Sequence, residues 1–252
     1  MIEGFTSAAN WAALLTGEGI IVLLSLSVLE VILGIDNIIF ISIVSSKLPK
    51  SQQARARYLG LTLALVMRVA LLSVISWIAG LKEPWFSIGD FPVSFRDMIL
   101  MAGGVFLTYK TIIEIAAKVN GNDHDSEHSP ATLTFRNAII QIVLLDIVFS
   151  FDSILTAVAV SNNLIIMVIA VIVAVGTMIF FSGVISDFIN RHPTVKMLAL
   201  AFLVVIGVVL MLDALHLHID KTYIYAAMGF SFAVEMLNMR TRGMAIRKGK
   251  SK

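Results

Sequence analysis

Long apolar blocks separated by short polar segments dominate the pattern of hydrophobic and polar positions along the chain. There are seven such blocks, at about 19–45, 57–81, 98–118, 136–160, 163–189, 195–215 and 222–238. Each is about as long as the roughly 20 helical residues that cross a hydrocarbon core. Within each block the apolar residues are continuous, whereas a transmembrane β-strand alternates them with polar residues. The pattern therefore predicts an all-α membrane protein with seven transmembrane helices.

Composition agrees with this fold class. Hydrophobic residues make up 58% of the 252-residue chain and charged residues only 14%, against roughly a quarter in soluble domains. The chain has no Cys, which excludes disulfides, thiolate metal ligands and CxxC redox chemistry. No basic segment precedes the first apolar block, so we expect this block to remain as a membrane span and not to be cleaved as a signal peptide.

The basic residues are distributed unevenly between the connections. Fifteen of the 19 Lys and Arg residues fall in alternate connections and in the C-terminal tail, three fall in the other connections, and Arg68 lies inside a block. Cytoplasmic loops of membrane proteins carry the excess of Lys and Arg. We therefore expect the N-terminus outside and the C-terminus in the cytoplasm.

An acidic motif occurs twice in the chain. "EVILGIDNI" begins at Glu30 and "DIVFSFDSI" begins at Asp146, an offset of 116 residues. Three spans lie between the two starting points, so the second copy crosses the membrane in the opposite direction, as in transporters built from inverted repeats. We therefore divide a single transmembrane domain, residues 1–252, into repeat one at about 19–118, a cytoplasmic loop at 119–135, repeat two at about 136–215, the seventh helix at about 222–238 and a basic cytoplasmic tail at 239–252.

The two motifs predict one cation site near the middle of the membrane. In each copy the two acids lie about 9 Å apart along the helix axis, close to the centre of their block. Antiparallel helices that cross at these centres would bring four carboxylates together. Carboxylate, amide and hydroxyl oxygens suit Mg²⁺, Ca²⁺ and Mn²⁺. The predicted metal ligands are Glu30, Asp36, Asn37, Asp146, Asp152 and Ser153.

A regular helix does not point both acids of one motif in the same direction. Positions i and i+6 are about 240° apart around a helix, so Glu30 shares a face with Asn37 and not with Asp36. Gly34 and Ser150 lie between the acids of their motifs. We hypothesise a helix break at both positions, which would turn the acids inward and free backbone carbonyls as ligands.

Two further polar features leave alternatives open. Arg68 lies near the centre of the second block, where a charge is costly. It is either a counter-charge that leaves the acids when an ion binds or a permanent ion-pair partner that holds helices together. The segment "NGNDHDSEHSP", residues 120–130, carries three acids and two His residues. We favour a solvated linker over a metal-gathering segment, and its role stays open.

Three stretches carry a resemblance to a known family: "EVILGIDNIIF", "LLDIVFSFDSILTAV" and the segment from "RHPTVKML" to "FAVEMLN". In these the chain resembles the TerC family of integral membrane proteins, in its short bacterial branch without cytoplasmic tail domains, within a superfamily that includes the lysine-exporter fold. The resemblance covers almost the whole chain. It implies a multi-pass protein of the bacterial inner membrane that exports divalent metal, chiefly Mn²⁺, from the cytoplasm. The family acids correspond here to Glu30, Asp36, Asp146 and Asp152, with Asn37 and Ser153 beside them.

Export of a divalent cation needs a driving force. Outward movement against a cytoplasm-negative potential costs about 2.3 kcal/mol per charge per 100 mV. The sequence contains no nucleotide-binding motif, so proton antiport is the hypothesis, with clustered carboxylates exchanging protons for metal. Expected partners are the divalent ion, as transported substrate, and the lipid bilayer. We expect no prosthetic group and no nucleic-acid partner.

Two function classes other than transport are compatible with a helical membrane protein. A membrane-embedded enzyme is disfavoured, because the blocks contain no HExxH, no His-rich ligand set and no nucleophile with a base. The alternative is a non-transporting scaffold or stress-resistance protein of the tellurium type that organises partner proteins. The inverted acidic repeat favours transport, because a scaffold has no use for it. The choice between monomer and homodimer stays open.

Overall fold

The computed structural model describes residues 8–74, 84–89, 91–120, 133–161, 163–217 and 219–249, most of them in helices. Within these ranges the elements are α1 (Ala8–Leu14), α2 (Gly17–Leu33), α3 (Ile35–Ser46), α4 (Lys50–Ser73), β1 (Pro84–Ile88), β2 (Phe91–Ser94), α5 (Phe95–Val119), α6 (Phe135–Val160), α7 (Leu164–Arg191), α8 (Pro193–Ala214) and α9 (Lys221–Gly249). The prediction of an all-α membrane protein is confirmed at this level. A small hairpin is the only departure in the part of the chain described.

Six regions are long and apolar enough to span a membrane, and they correspond to the first six predicted blocks. They are Gly17–Ser46, Lys50–Ser73, Phe95–Val119, Phe135–Val158, Leu164–Arg191 and Pro193–Ala214. The last predicted block is helical as part of α9, but α9 is not among these six. A seventh span, the repeat boundaries and the orientation of the termini therefore stay predictions. Most of the predicted cytoplasmic loop, residues 121–132, and the last residues of the predicted tail, 250–252, lie outside the described residues.

The start of the second span differs from the prediction. The polar segment 46–57 was expected to be a loop, yet α4 begins at Lys50, immediately after Pro49. Proline fits the beginning of a helix, because the first N–H groups of a helix have no intrahelical partner. Three of the four basic residues of this segment, Lys50, Arg55 and Arg57, therefore lie on the first turns of α4, whereas Lys47 caps the end of α3.

A β-hairpin and a capping box precede α5. Strands β1 and β2 pair antiparallel, and Gly89 adopts a left-handed φ of 62° between them. Trp85 stacks on Phe95 with ring centroids 4.6 Å apart. The Ser94 hydroxyl and the Asp97 carboxylate exchange hydrogen bonds with each other's backbone N–H groups, so the first turn of α5 is fully capped.

Helices α5 and α8 approach each other to backbone contact. A Cβ placed on Gly104 would lie 2.6 Å from the carbonyl oxygen of Gly207, and one on Gly207 would collide with Thr108. Small residues allow such contact in membranes, where dispersion between close backbones replaces the hydrophobic effect. The contact joins the third and sixth spans over much of their length.

The remaining spans pack around the acidic motifs. Helices α2 and α3 lie against α7, and α4 lies against α6 and α7. Helix α3 also contacts α6. The two motif copies, on α2–α3 and on α6, are therefore neighbours in the interior of the helix bundle.

The glycine contact predicts a strong difference between two identical substitutions. Gly207→Ala is expected to lower the free energy of unfolding by about 1–3 kcal/mol, because the added methyl overpacks the α5–α8 interface. Gly183→Ala, on α7, is the matched control, since no atom lies within 4 Å of the added Cβ. Thermal unfolding of the purified variants in detergent, followed by circular dichroism, measures the difference. Equal melting temperatures would contradict the contact.

Candidate functional site

The first motif contains a one-residue interruption at the position where the sequence predicts a break, but the hydrogen bonds from the Gly34 N–H to the Glu30 carbonyl and from the Ile38 N–H to the Gly34 carbonyl are kept, at 2.9 and 3.1 Å. Helix α2 ends at Leu33 and α3 begins at Ile35, with Gly34 between them at φ −90° and ψ −4°. A Cβ on Gly34 would lie 2.7 Å from Sδ of Met178 on α7 and would collide with its terminal methyl. A larger residue at this position would therefore require the end of the Met178 side chain to move. The break places Asp36 in the first turn of α3, where a helix N-terminus favours a carboxylate.

The second motif has no such break. Helix α6 continues from Phe135 to Val160 through Ser150, so the predicted interruption there is wrong. Ser150 lies within the continuous helix, and its hydroxyl donates a hydrogen bond to Oδ2 of Asp146 at 3.1 Å. The two copies of the motif thus have similar sequences and different backbones.

Arg68 joins the first acids of the two motifs. From α4 it donates from Nη1 to Oε2 of Glu30 at 2.9 Å, and from Nη2 to Oδ1 of Asp146 at 2.8 Å. Its Nε also faces Oδ2 of Asp146 at 3.5 Å. All three side chains are at most 3% exposed. One guanidinium therefore binds two carboxyl groups, one from each motif copy.

Amide and hydroxyl groups tie this cluster to both motifs. Asn37 donates from Nδ2 to Oδ1 of Asp146 at 3.2 Å, across the boundary between the copies. Ser153 lies beside Glu30 and interacts with its carboxylate. This contact joins the second motif to the first, as the contact of Asn37 with Asp146 joins the first motif to the second. Oε1 of Glu30 and Oδ1 of Asn37 are buried, and no group in the described part of the chain makes a hydrogen bond to either. Two buried acceptor oxygens of this cluster thus have no donor among the described residues.

Asp36 lies beside this cluster and lines a small cavity. The cavity has a volume of about 40 Å³, enough for a water or an ion. Asp36 is buried, and Tyr225 of α9 donates its hydroxyl to Oδ2 of Asp36 at 3.4 Å. Ser153 lines the same cavity, so this residue connects it to the Glu30 side of the ion-pair cluster. Apolar residues from α2, α6, α8 and α9 complete the wall.

The predicted ligands are thus distributed over two adjoining groups. Glu30, Asn37 and Asp146 surround Arg68, whereas Asp36 and Ser153 line the cavity. Asp152 lies on α6, one residue from Ser153, and its side chain is outside what the structure describes. Among the described side chains, no three acidic or His residues form a group that holds a metal ion. The six-residue ligand set therefore stays a prediction.

Tyr225 is the site residue that sequence reasoning missed. The signal was available in "KTYIYAAMGF", where two tyrosines open an otherwise apolar helix. A tyrosine presents an apolar ring and a polar tip, and the hydroxyl usually finds a partner when it is buried. The sequence did not show which tyrosine turns inward, since that depends on how α9 packs.

Comparison with known proteins places these features in a family. The chain matches the model of the integral membrane protein TerC family over residues 15–250. UPF0053 inner membrane protein YgdQ of Escherichia coli strain K12 is 50% identical over 215 residues, which cover 85% of this chain and 90% of YgdQ. A UPF0053 protein of Haemophilus influenzae is 46% identical over 225 residues, 89% of this chain and 95% of that protein.

A longer relative contains a matching region of the same extent. UPF0053 inner membrane protein YoaE of E. coli strain K12 is 46% identical over 246 residues, which cover 98% of this chain but 46% of YoaE. No solved structure matches the chain.

The ion-pair cluster predicts a large cost for removing its cation. Arg68→Ala leaves two buried carboxylates without a counter-charge and is expected to lower the free energy of unfolding by about 3–5 kcal/mol. Arg55→Ala is the control, because Arg55 lies on the same helix but is exposed. Unfolding in detergent measures both.

A triple variant separates charge from packing. Adding Glu30→Gln and Asp146→Asn to Arg68→Ala removes the uncompensated charges and is expected to restore much of the lost stability. If the triple variant is as unstable as Arg68→Ala alone, the ion pairs do not account for the effect.

Proposed function

Since the chain belongs to the TerC family and is a multi-pass protein of the inner membrane, we propose that it is a secondary transporter that exports a divalent hard cation, Mn²⁺ above all. The observation that carries the proposal is the buried contact of Arg68 with one acid from each motif copy. Ionisable groups inside a membrane bundle mark ion pathways far more often than they serve packing. The protein is proposed to be a transporter without enzymatic activity.

The packing of the spans supports two inverted repeats. In an inverted repeat, α2–α3, α4 and α5 correspond to α6, α7 and α8 in that order. Each contact in one repeat should then have a counterpart. The contact of α2–α3 with α7 has its counterpart in the contact of α6 with α4. The contacts of α4 with α7 and of α5 with α8 each join two corresponding helices, so the correspondence leaves them unchanged. The polar contacts between the motifs follow the same correspondence, because Asn37 with Asp146 corresponds to Ser153 with Glu30. Transporters with inverted repeats bind their substrates at such an interface.

Charge balance explains what Arg68 contributes to a transport cycle. Its guanidinium occupies the space between Glu30 and Asp146 and offsets half of their charge. A divalent cation between these acids offsets all of it, so ion and guanidinium compete for the same carboxylates. Arg68 thereby lowers the cost of exposing an unloaded site to the membrane interior. The ion approaches through the cavity beside this cluster, where Asp36 and Ser153 supply oxygen ligands.

The ligand chemistry supports the substrate class. The oxygens of Glu30, Asp146, Asn37, Asp36 and Ser153 are hard donors, and the chain has no Cys. Such a set suits Mn²⁺, Mg²⁺ or Ca²⁺ more than Zn²⁺ or Cu⁺. The preference for Mn²⁺ among them comes from the family resemblance.

Flux in proteoliposomes tests the ligand set. Asp36→Asn and Asp152→Asn are each expected to reduce Mn²⁺ transport by about 10–100-fold or more, because each removes a charged oxygen donor without changing side-chain size. Asp187→Asn is the matched control, since Asp187 is an exposed acid on α7. Unchanged flux in both site variants would show that the ligand set is wrong, whereas absence of Mn²⁺ flux in the parent protein would favour the scaffold alternative.

Coupling is tested separately with a pH gradient. If protons return as metal leaves, an inward proton gradient accelerates Mn²⁺ export and the reversed gradient slows it. A pH-sensitive dye inside the vesicles should report proton movement only when Mn²⁺ is present. Flux that is indifferent to gradients of both signs would remove antiport while leaving the transport proposal in place.

A further inference from the structure

Tyr225 lies on the wall between two cavities of different character. On one side is the small cavity of about 40 Å³ that contains Asp36. On the other side is an apolar groove of about 680 Å³ between α9 and the spans α3, α7 and α8. Tyr225 lines both, and its hydroxyl reaches Oδ2 of Asp36 at 3.4 Å.

Helix α9 is attached to the bundle along a narrow stripe. Ile224, Tyr225 and Met228 are half-buried, whereas Tyr223 and Phe230 are 75% and 73% exposed. Among the described spans α9 packs mainly against α8. The start of α9 is fixed by Asp220, which accepts a hydrogen bond from the Thr222 N–H at 2.9 Å; its bonds with the Thr222 side chain and backbone hold the pKa of this exposed carboxyl below its ordinary value.

The groove gives α9 room to move. Its lining is almost entirely apolar, with Ile35, Phe188, Phe202, Met228 and Phe232 among the residues that face it. A shift of α9 into this space exchanges one apolar contact for another. The hydrogen bond from Tyr225 to Asp36 is the polar contact at the wall of the Asp36 cavity that such a shift would break.

We propose that Tyr225 is the gate of the Asp36 cavity: its ring closes the cavity, and its hydroxyl keeps it closed while Asp36 carries no cation. A cation on Asp36 draws charge from the carboxylate that accepts from the hydroxyl, so loading weakens the hydrogen bond between α9 and α3. This proposal rests on the transport function proposed above and adds to it the element that responds to the ion. In the proposed orientation α9 starts at the outer face, and Tyr225 lies in its second turn, so the gate controls release to the outside.

Cysteine labelling tests the gate directly, because the chain has no native Cys. Leu210→Cys places a single thiol in the wall of the cavity, and Leu33→Cys does so from another helix if the first variant does not fold. A small charged methanethiosulfonate is applied from either side of sealed vesicles. Labelling from outside is expected to be slow in the parent and about tenfold faster with Tyr225→Ala, since loss of the ring shifts the balance from closed to open.

The hydroxyl is tested with a more conservative change. Mn²⁺ is expected to accelerate labelling in the parent, whereas in Tyr225→Phe labelling is already faster and no longer responds to Mn²⁺. Tyr223→Ala is the matched control, because Tyr223 is exposed on the same helix and lines neither cavity. It should behave like the parent.

The outcomes separate the gate from the transport proposal. If Mn²⁺ is transported but Tyr225→Ala leaves labelling unchanged, or accelerates it only from the inside, the gate is wrong and transport stands. If Tyr225→Ala accelerates labelling but neither labelling nor flux in the parent responds to Mn²⁺, Tyr225 closes the cavity and the transport proposal is wrong.

Discussion

The ion pairs of one arginine hold the interior of this protein together. Arg68 is 3% exposed and contacts Glu30 on α2 and Asp146 on α6 at 2.9 and 2.8 Å. In a hydrocarbon environment a charge without a partner is costly, so each of the three groups depends on the other two. The spans that carry them, α2, α4 and α6, must therefore meet at one depth. The position of the motifs in the membrane and the packing of these helices follow from this single requirement.

Buried ion pairs give little stability compared with apolar packing of the same volume. The cluster thus has a structural cost that neighbouring Leu and Ile residues would avoid. In the proposed transport cycle that cost has a use, because a guanidinium and a divalent ion can replace one another between the same carboxylates. The proximity of Asp36, in a separate cavity beside the cluster, gives the exchange an approach route.

Hydrophobic periodicity and the acidic repeat predicted most of the architecture. The six spans agree with the blocks to within a few residues except at both ends of α4, because a membrane imposes length and apolarity on each span. The break at Gly34 was also predictable from a glycine between two acids, whereas the absence of a break at Ser150 was not. The matching position of Ser150 indicated a break there, but serine is a better helix former than glycine. The role of Tyr225 was hidden because it depends on the placement of α9.

The backbone contact between Gly104 and Gly207 has a consequence for motion. Two helices that touch without intervening side chains resist sliding and rotation, because any displacement brings a Cα or carbonyl into collision. Helices α5 and α8 thus form a rigid pair. Helix α9, which packs mainly on α8, is attached to this pair. In the proposed transport cycle, alternating exposure of a central site then requires only that the other four spans, α2–α3, α4, α6 and α7, move as a group against this rigid pair.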